Sequence, residues 1–197
     1  MTLEETLQEA RGCRVCAHHL PHAPRPVLRA ARSARLLIVG QAPGRRVHES
    51  GVPWNDPSGD RLRAWLALPR EDFYDETRVA IVPMGLCYPG TVDGADLPPR
   101  PECAPLWQER IRSQLPAIGL TLLVGAYAQA FHLGRRRRKG MTETVRSFGD
   151  YLPEFMPLPH PSWRNTAWLR RNAWFEDELL PALRARVRVL MDGSGGG

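Results

Sequence analysis

Lysine is all but missing from this chain. Of its 27 basic residues only Lys139 is a lysine, and the rest are arginines. Covalent chemistry through an amine therefore has only Lys139 and the N-terminal amine to draw on, and Lys139 sits inside a charge run. Long apolar runs are also missing. No stretch approaches the roughly 20 residues needed to cross a bilayer, and Met1-Thr2-Leu3-Glu4-Glu5 lacks the basic-then-apolar order of a secretion signal. A cytoplasmic protein with no membrane partner is expected. Internal repeats and domain-sized linkers are absent as well. With 197 residues, 43% of them hydrophobic, the chain suits one globular domain over residues 1–190, expected to be monomeric. The Gly/Ser-rich end, 191–197, is expected to be a flexible tail. The net charge of +6 favours an anionic partner, of which nucleic acid is the most common.

Apolar patterning outlines the fold. Residues 35–39, 78–82 and 120–125 are short, continuous apolar runs bounded by turn residues, the signature of strands buried in a parallel sheet. A last, short strand is expected within 151–158. Helical patterns cover 2–12, 59–68, 105–115, 126–133 and 173–190. Residues 17–34 and the Pro-rich stretch 88–101 read as irregular loops. Strands alternating with helices predict a three-layer α/β/α sandwich around a mostly parallel four-stranded sheet, with ligands bound beyond the carboxyl ends of the strands. Two motifs fall there: Gly40-Gln41-Ala42-Pro43-Gly44 after the first strand, and His160-Pro161-Ser162 after the last. The basic run Arg135 to Lys139 reads as a solvated loop, with contact to DNA phosphate as the sharper alternative.

The four cysteines are Cys13 and Cys16, two residues apart, and the distant Cys87 and Cys103. In a cytosolic protein metal binding is favoured over disulfides, and four thiolates suit either zinc or an iron–sulfur cluster. The order of motifs resembles the iron–sulfur uracil-DNA glycosylases of family 4: a strand, then Gly40 to Gly44, then Gly51-Val52-Pro53-Trp54, then two cysteines flanking a Pro-rich loop, then His-Pro-Ser. The resemblance spans residues of about 5 to 190. It implies a 4Fe–4S cluster on Cys13, Cys16, Cys87 and Cys103, with zinc as the alternative, and a structural role for that cluster. It also implies base excision from DNA containing uracil or another deaminated base. Asn55-Asp56-Pro57-Ser58-Gly59-Asp60 is similar, more locally, to a stretch of the family 5 enzymes in which an aspartate is implicated. With so little lysine, the expected glycosylase is monofunctional and leaves an abasic site. The alternative is a superfamily member that traps uracil-DNA without turnover.

Cleaving an N-glycosidic bond leaves positive charge on the sugar and negative charge on the base, so the site must stabilise both. On the resemblance, His160 is expected to donate to the departing base. Asp56 is expected to face the sugar and orient a water, with Asp60 as the runner-up. Gln41 stands where family 4 has a glutamate. An amide cannot act as a general base, yet it can orient water or bond the base. Ala42 lets the base approach the backbone, Trp54 stacks on it and Asn55 reads it. Ser162, Trp163, Arg164, Asn165 and Arg45 are expected to contact DNA, Trp163 as a wedge. Pro83 occupies the place of the asparagine that reads uracil in relatives, so looser base selectivity is expected.

Overall fold

The computed structural model describes residues 1–193. In chain order the helices are α1 (Leu3–Arg11), α2 (Arg45–Ser50), α3 (Pro57–Leu66), α4 (Arg70–Tyr74), α5 (Cys103–Arg112), α6 (Ala126–Leu133), α7 (Met141–Arg146), α8 (Thr166–Arg171) and α9 (Leu180–Asp192). The strands are β1 (Leu36–Val39), β2 (Val79–Ile81), β3 (Thr91–Val92), β4 (Ala95–Asp96), β5 (Leu120–Val124) and β6 (Phe155–Leu158). The main sheet has the order β2-β1-β5-β6 and every pair in it is parallel. This is the expected sandwich.

Alternation along the strands divides the core between the two faces of the sheet. Leu37 and Val39 of β1, with Ala80 and Leu123, pack against α1, α5 and α6. Leu36 and Ile38, with Leu122, Met156 and Leu158, pack against α3, Phe73 of α4 and α9. Both faces are covered, which explains why the strands are apolar throughout. Helix α1 shows how the local sequence specifies its element. Thr2 accepts from the Glu5 N–H while the Glu5 carboxylate accepts from the Thr2 N–H, a reciprocal cap. Leu3, Thr6, Leu7 and Ala10 then form the buried stripe.

The structure redraws several expected boundaries. Helix α3 begins at Pro57, not 59, because Asp56 caps it and proline suits the first helical position. The Pro-rich stretch is not wholly irregular. It holds the β3–β4 hairpin, turned at Asp93 and Gly94, both with positive φ (50° and 72°), the two-residue turn that Asp-Gly favours. The segment before β1 is also not free-standing. Arg29 and Ile81 exchange backbone hydrogen bonds of 2.9 and 2.7 Å, so this segment covers the outer edge of β2. The last helix carries on through Asp192, with Met191 buried, past the expected end at 190. Of the tail, residues 194–197 lie outside the described residues. No helix among those described is long and apolar enough to cross a membrane.

Candidate active site

The carboxyl ends of β1, β2 and β6 open into one cleft of about 420 Å³. Its floor is the loop after β1, Gly40 to Gly44, which keeps pairing with the chain beyond β2. The Met84 and Gly85 N–H groups donate to the Gly40 and Gln41 carbonyls, both at 2.9 Å. Beside them Pro83 lines the cleft, its carbonyl accepting from the buried Gln108 amide at 2.9 Å. The Gln108 oxygen in turn meets Nε2 of His132 at 3.1 Å. Burial pushes His132 down to about 4, with the Arg112 charge acting in the same direction, so it is neutral at physiological pH.

His160 stands at the end of β6, half-buried in the cleft wall. Two local features place it. Gln129 of α6 donates to the Leu158 carbonyl at 2.9 Å, tying β6 to the helix behind β5. Asn165 donates to the His160 carbonyl at 2.7 Å, closing the turn around it. Burial pushes the His160 imidazole below its usual range, against the opposing pull of the Asp56 and Asp96 carboxylates. The ring therefore stays neutral at physiological pH and has an N–H to donate.

Trp54 lies against the start of the loop after β1. Its ring centroid is 5.6 Å from that of His160, and a Cβ added to Gly40 would fall 2.7 Å from the indole. The residue has a positive φ of 55°, unusual for tryptophan. Its carbonyl is held in that conformation by the Tyr74 hydroxyl (3.1 Å) and by Arg63 (3.3 Å). It also rests directly on Gly59, where any Cβ would fall 1.7 Å from the oxygen. Asp56 follows. Its Oδ1 accepts from the Gly59 N–H at 2.8 Å as the cap of α3, and the residue lines the cleft.

Of the expected site residues, Gln41, Ala42, Trp54, Asp56, His160, Ser162, Trp163, Arg164 and Asn165 all line the cleft. Asn55 does not. It accepts from Arg70 at 3.2 Å and faces a shallow depression on the other side of the loop, where Asp60 also sits. Asp60 is paired with Arg63, which leaves Asp56 as the carboxylate of this loop inside the cleft. Arg45 is exposed on α2, outside the cleft lining. The exposed Arg164 donates to the Gly94 carbonyl at 2.6 Å, and Gln41 donates to the Leu97 carbonyl at 3.4 Å. These two bonds clasp the β3–β4 hairpin over the cleft. Asp96, a lining residue the sequence did not single out, arrives on that hairpin. Trp163 is 75% exposed at the rim. His48 faces away from the cleft and stacks with His22 at 5.3 Å.

The four cysteines face a second, smaller cavity with an apolar lining that includes Leu20, Leu86 and Trp107. It backs onto the cleft floor through Gly85, which immediately precedes Leu86 and Cys87. None of the cysteines is in a disulfide. Burial pushes the Cys87 thiol up to about 11 and the Cys103 thiol up to about 12, while the Leu86 N–H donates to the Cys103 sulfur at 3.3 Å. Among the described residues, no group of three or more His, Cys, Asp or Glu side chains is drawn together to hold a single metal ion.

The sheet and cleft define an α/β/α protein with a cleft at the carboxyl ends of its strands, lined by a neutral imidazole, an indole and carboxylates. The family model of the Uracil DNA glycosylase superfamily matches residues 28–184, and the chain belongs to that superfamily.

Proposed function

We propose that this protein is a monofunctional DNA glycosylase that hydrolyses the N-glycosidic bond of uracil, and of other deaminated bases, in DNA. It would act as a cytoplasmic monomer in base excision repair. The observation that carries this reading is the convergence of His160, Asp56 and Trp54 on one cleft in a chain of this superfamily. The target base leaves the duplex stack and enters the cleft. Trp54, lining the cleft beside His160, stacks on the base. The neutral His160 donates to the base as negative charge develops there, where a preorganised donor gains most. Asp56 stabilises the cationic sugar. The exposed Trp163 fills the gap left in the duplex.

Selectivity is expected to be broad. Pro83 offers no side-chain hydrogen bond, and Asn55 is turned away from the cleft. Gln41 and the backbone of the cleft floor remain to read the base. Excision assays on duplexes containing uracil, hypoxanthine or xanthine, followed by alkaline cleavage at the abasic site, test the proposal. Release of at least uracil is expected, with Asp56→Asn and His160→Ala both inactive but folded. No release of any base would overturn the proposed activity, and full activity in both variants would overturn the site. Trapping without turnover has less support, because the histidine on the helix after the first motif, His48, faces away from the cleft.

The cysteine cavity supports a family 4-type 4Fe–4S cluster over zinc. All four thiols line this one cavity, whose wall is otherwise largely apolar, and four cysteines are the usual ligand set of such a cluster. Cys13, Cys16, Cys87 and Cys103 would hold it. When bound it supplies a structural crosslink between the N-terminal segment and the chain that continues from the cleft floor. Iron analysis and absorption near about 400 nm decide between the two. A colourless protein containing stoichiometric zinc would favour the alternative.

A further inference from the structure

The cleft holds a second carboxylate, delivered by a different element and oriented by its own hydrogen-bond chain. Asp96 lies directly opposite Thr91 in the β3–β4 register, and the Thr91 hydroxyl donates to Asp96 Oδ1 at 3.2 Å. The Thr91 hydroxyl is itself bonded to the Tyr88 hydroxyl. Tyr88 is buried, with its ring against those of His22 and His48 at 6.0 and 5.8 Å. A fixed core residue therefore orders an otherwise exposed acid. The other oxygen, Oδ2, points at the loop after β1, where it would lie 3.4 Å from a Cβ on Gly44. This is the loop in which Gln41 replaces the family's acid. The hairpin is clasped from both sides, by Arg164 at Gly94 and by Gln41 at Leu97. Asp56 likewise has one oxygen committed, to capping α3, but it arrives on a different element, the loop before that helix.

We propose that Asp96 is the carboxylate that activates the attacking water, while Asp56 serves the sugar cation. This assignment rests on the glycosylase reading. In the step, the bond between the sugar anomeric carbon and the base nitrogen breaks, and its electron pair leaves with the base. A water held by Asp96 Oδ2 bonds to the anomeric carbon and gives its proton to the carboxylate, which passes it to solvent. The base, held as an anion by the His160 N–H, then takes a proton from solvent. Thr91 and Tyr88 are positioning residues for this acid. The negative charge of Asp96 also reaches the His160 ring, so the hairpin acts on both sides of the reaction.

The test is single-turnover excision of uracil from duplex DNA by the full chain, alongside binding to a duplex carrying the uncleavable 2′-fluoro analogue. For Asp96→Asn the bound-state rate is expected to fall by about 10²–10⁴-fold, the usual yield of a positioned general base, with affinity changed by less than about threefold. In Asp96→Ala, where the side chain is truncated, added formate should restore part of the rate. Thr91→Val should slow excision by about tenfold and Thr91→Ser should not, as expected if a hydroxyl bond orients the acid. If the parent protein excises uracil but Asp96→Asn matches its rate, or loses only affinity, this assignment is wrong and the glycosylase reading stands. If the parent protein releases no base at all, the glycosylase reading itself has failed.

Discussion

Gly59→Ala should disable this site from outside the cleft lining. Position 59 has two roles. Its N–H donates to the Asp56 carboxylate that caps α3, and its missing side chain is the seat of the Trp54 carbonyl. A methyl group there would lie 1.7 Å from that oxygen and 2.6 Å from its carbon, so the carbonyl must retreat by well over an ångström. Retreat breaks the bonds from Tyr74 and Arg63, worth about 1 and about 2 kcal/mol. Alanine recovers about 1 kcal/mol through its better helix propensity. The expected net destabilisation is about 2 kcal/mol, visible as a lower urea midpoint at unchanged slope. The catalytic loss should be larger in proportion. Trp54 and Asp56 move together, and a misplacement of about 1 Å can cost about 100-fold in rate. Gly149→Ala is the control, since nothing lies within 4 Å of its added Cβ, and it should stay within about 0.5 kcal/mol of the parent. A Gly59→Ala protein with the parent's midpoint and excision rate would refute the reasoning.

Three further outcomes are expected. His132 is neutral in the fold, held down to about 4 by burial, but titrates near 6.5 when unfolded. Between those values the unfolded chain binds the extra proton, so this term lowers stability as pH falls below about 6.5, by about 1 kcal/mol at pH 5 after allowing for partial exposure. His132→Gln should flatten the dependence of the urea midpoint on pH between 7.5 and 5, and an unchanged slope would exclude His132 as its source. Trp163→Ala should weaken binding to uracil-containing duplex by about tenfold while leaving the fold intact, as read by fluorescence anisotropy and circular dichroism. Pro83→Asn, which places an amide on the cleft floor, should raise the preference for uracil over hypoxanthine in competition assays; an unchanged ratio would mean that position 83 does not read the base.

Much of this architecture was legible because burial on both sheet faces leaves strands that are apolar throughout. Leu36–Val39 and Leu120–Val124 could hardly be anything else once bounded by turns. The motifs were legible because they follow those strands. What escaped depends on backbone direction at single residues. Trp54 turns left-handed and Asp56 is extended, so Asn55, between two cleft residues, is directed the other way. Asp96 lay in a stretch dominated by proline, on a two-residue strand too short and too exposed to show any alternation. The Asp93-Gly94 turn was the available signal. Its consequence, an acid folded back over the cleft, required knowing that Tyr88 is buried and that Arg164 reaches Gly94. The helix boundaries shifted for simpler reasons: Asp56 and Pro57 together start α3 two residues early.

The arginine run from Arg135 to Arg138, with Lys139, acquires its meaning from α6. That helix leaves the carboxyl end of β5 and, over eight residues or about 12 Å, carries the chain back to the opposite end of the sheet. There Arg136 meets Glu154, just before β6, and Arg138 meets Asp150. If the proposed site binds DNA, the duplex across the cleft would lie at the other end of the sheet from this run. The counterions released on binding would then be those displaced by the few arginines at the cleft end, and the affinity would fall with salt as gently as that small number dictates, not as steeply as a net charge of +6 suggests.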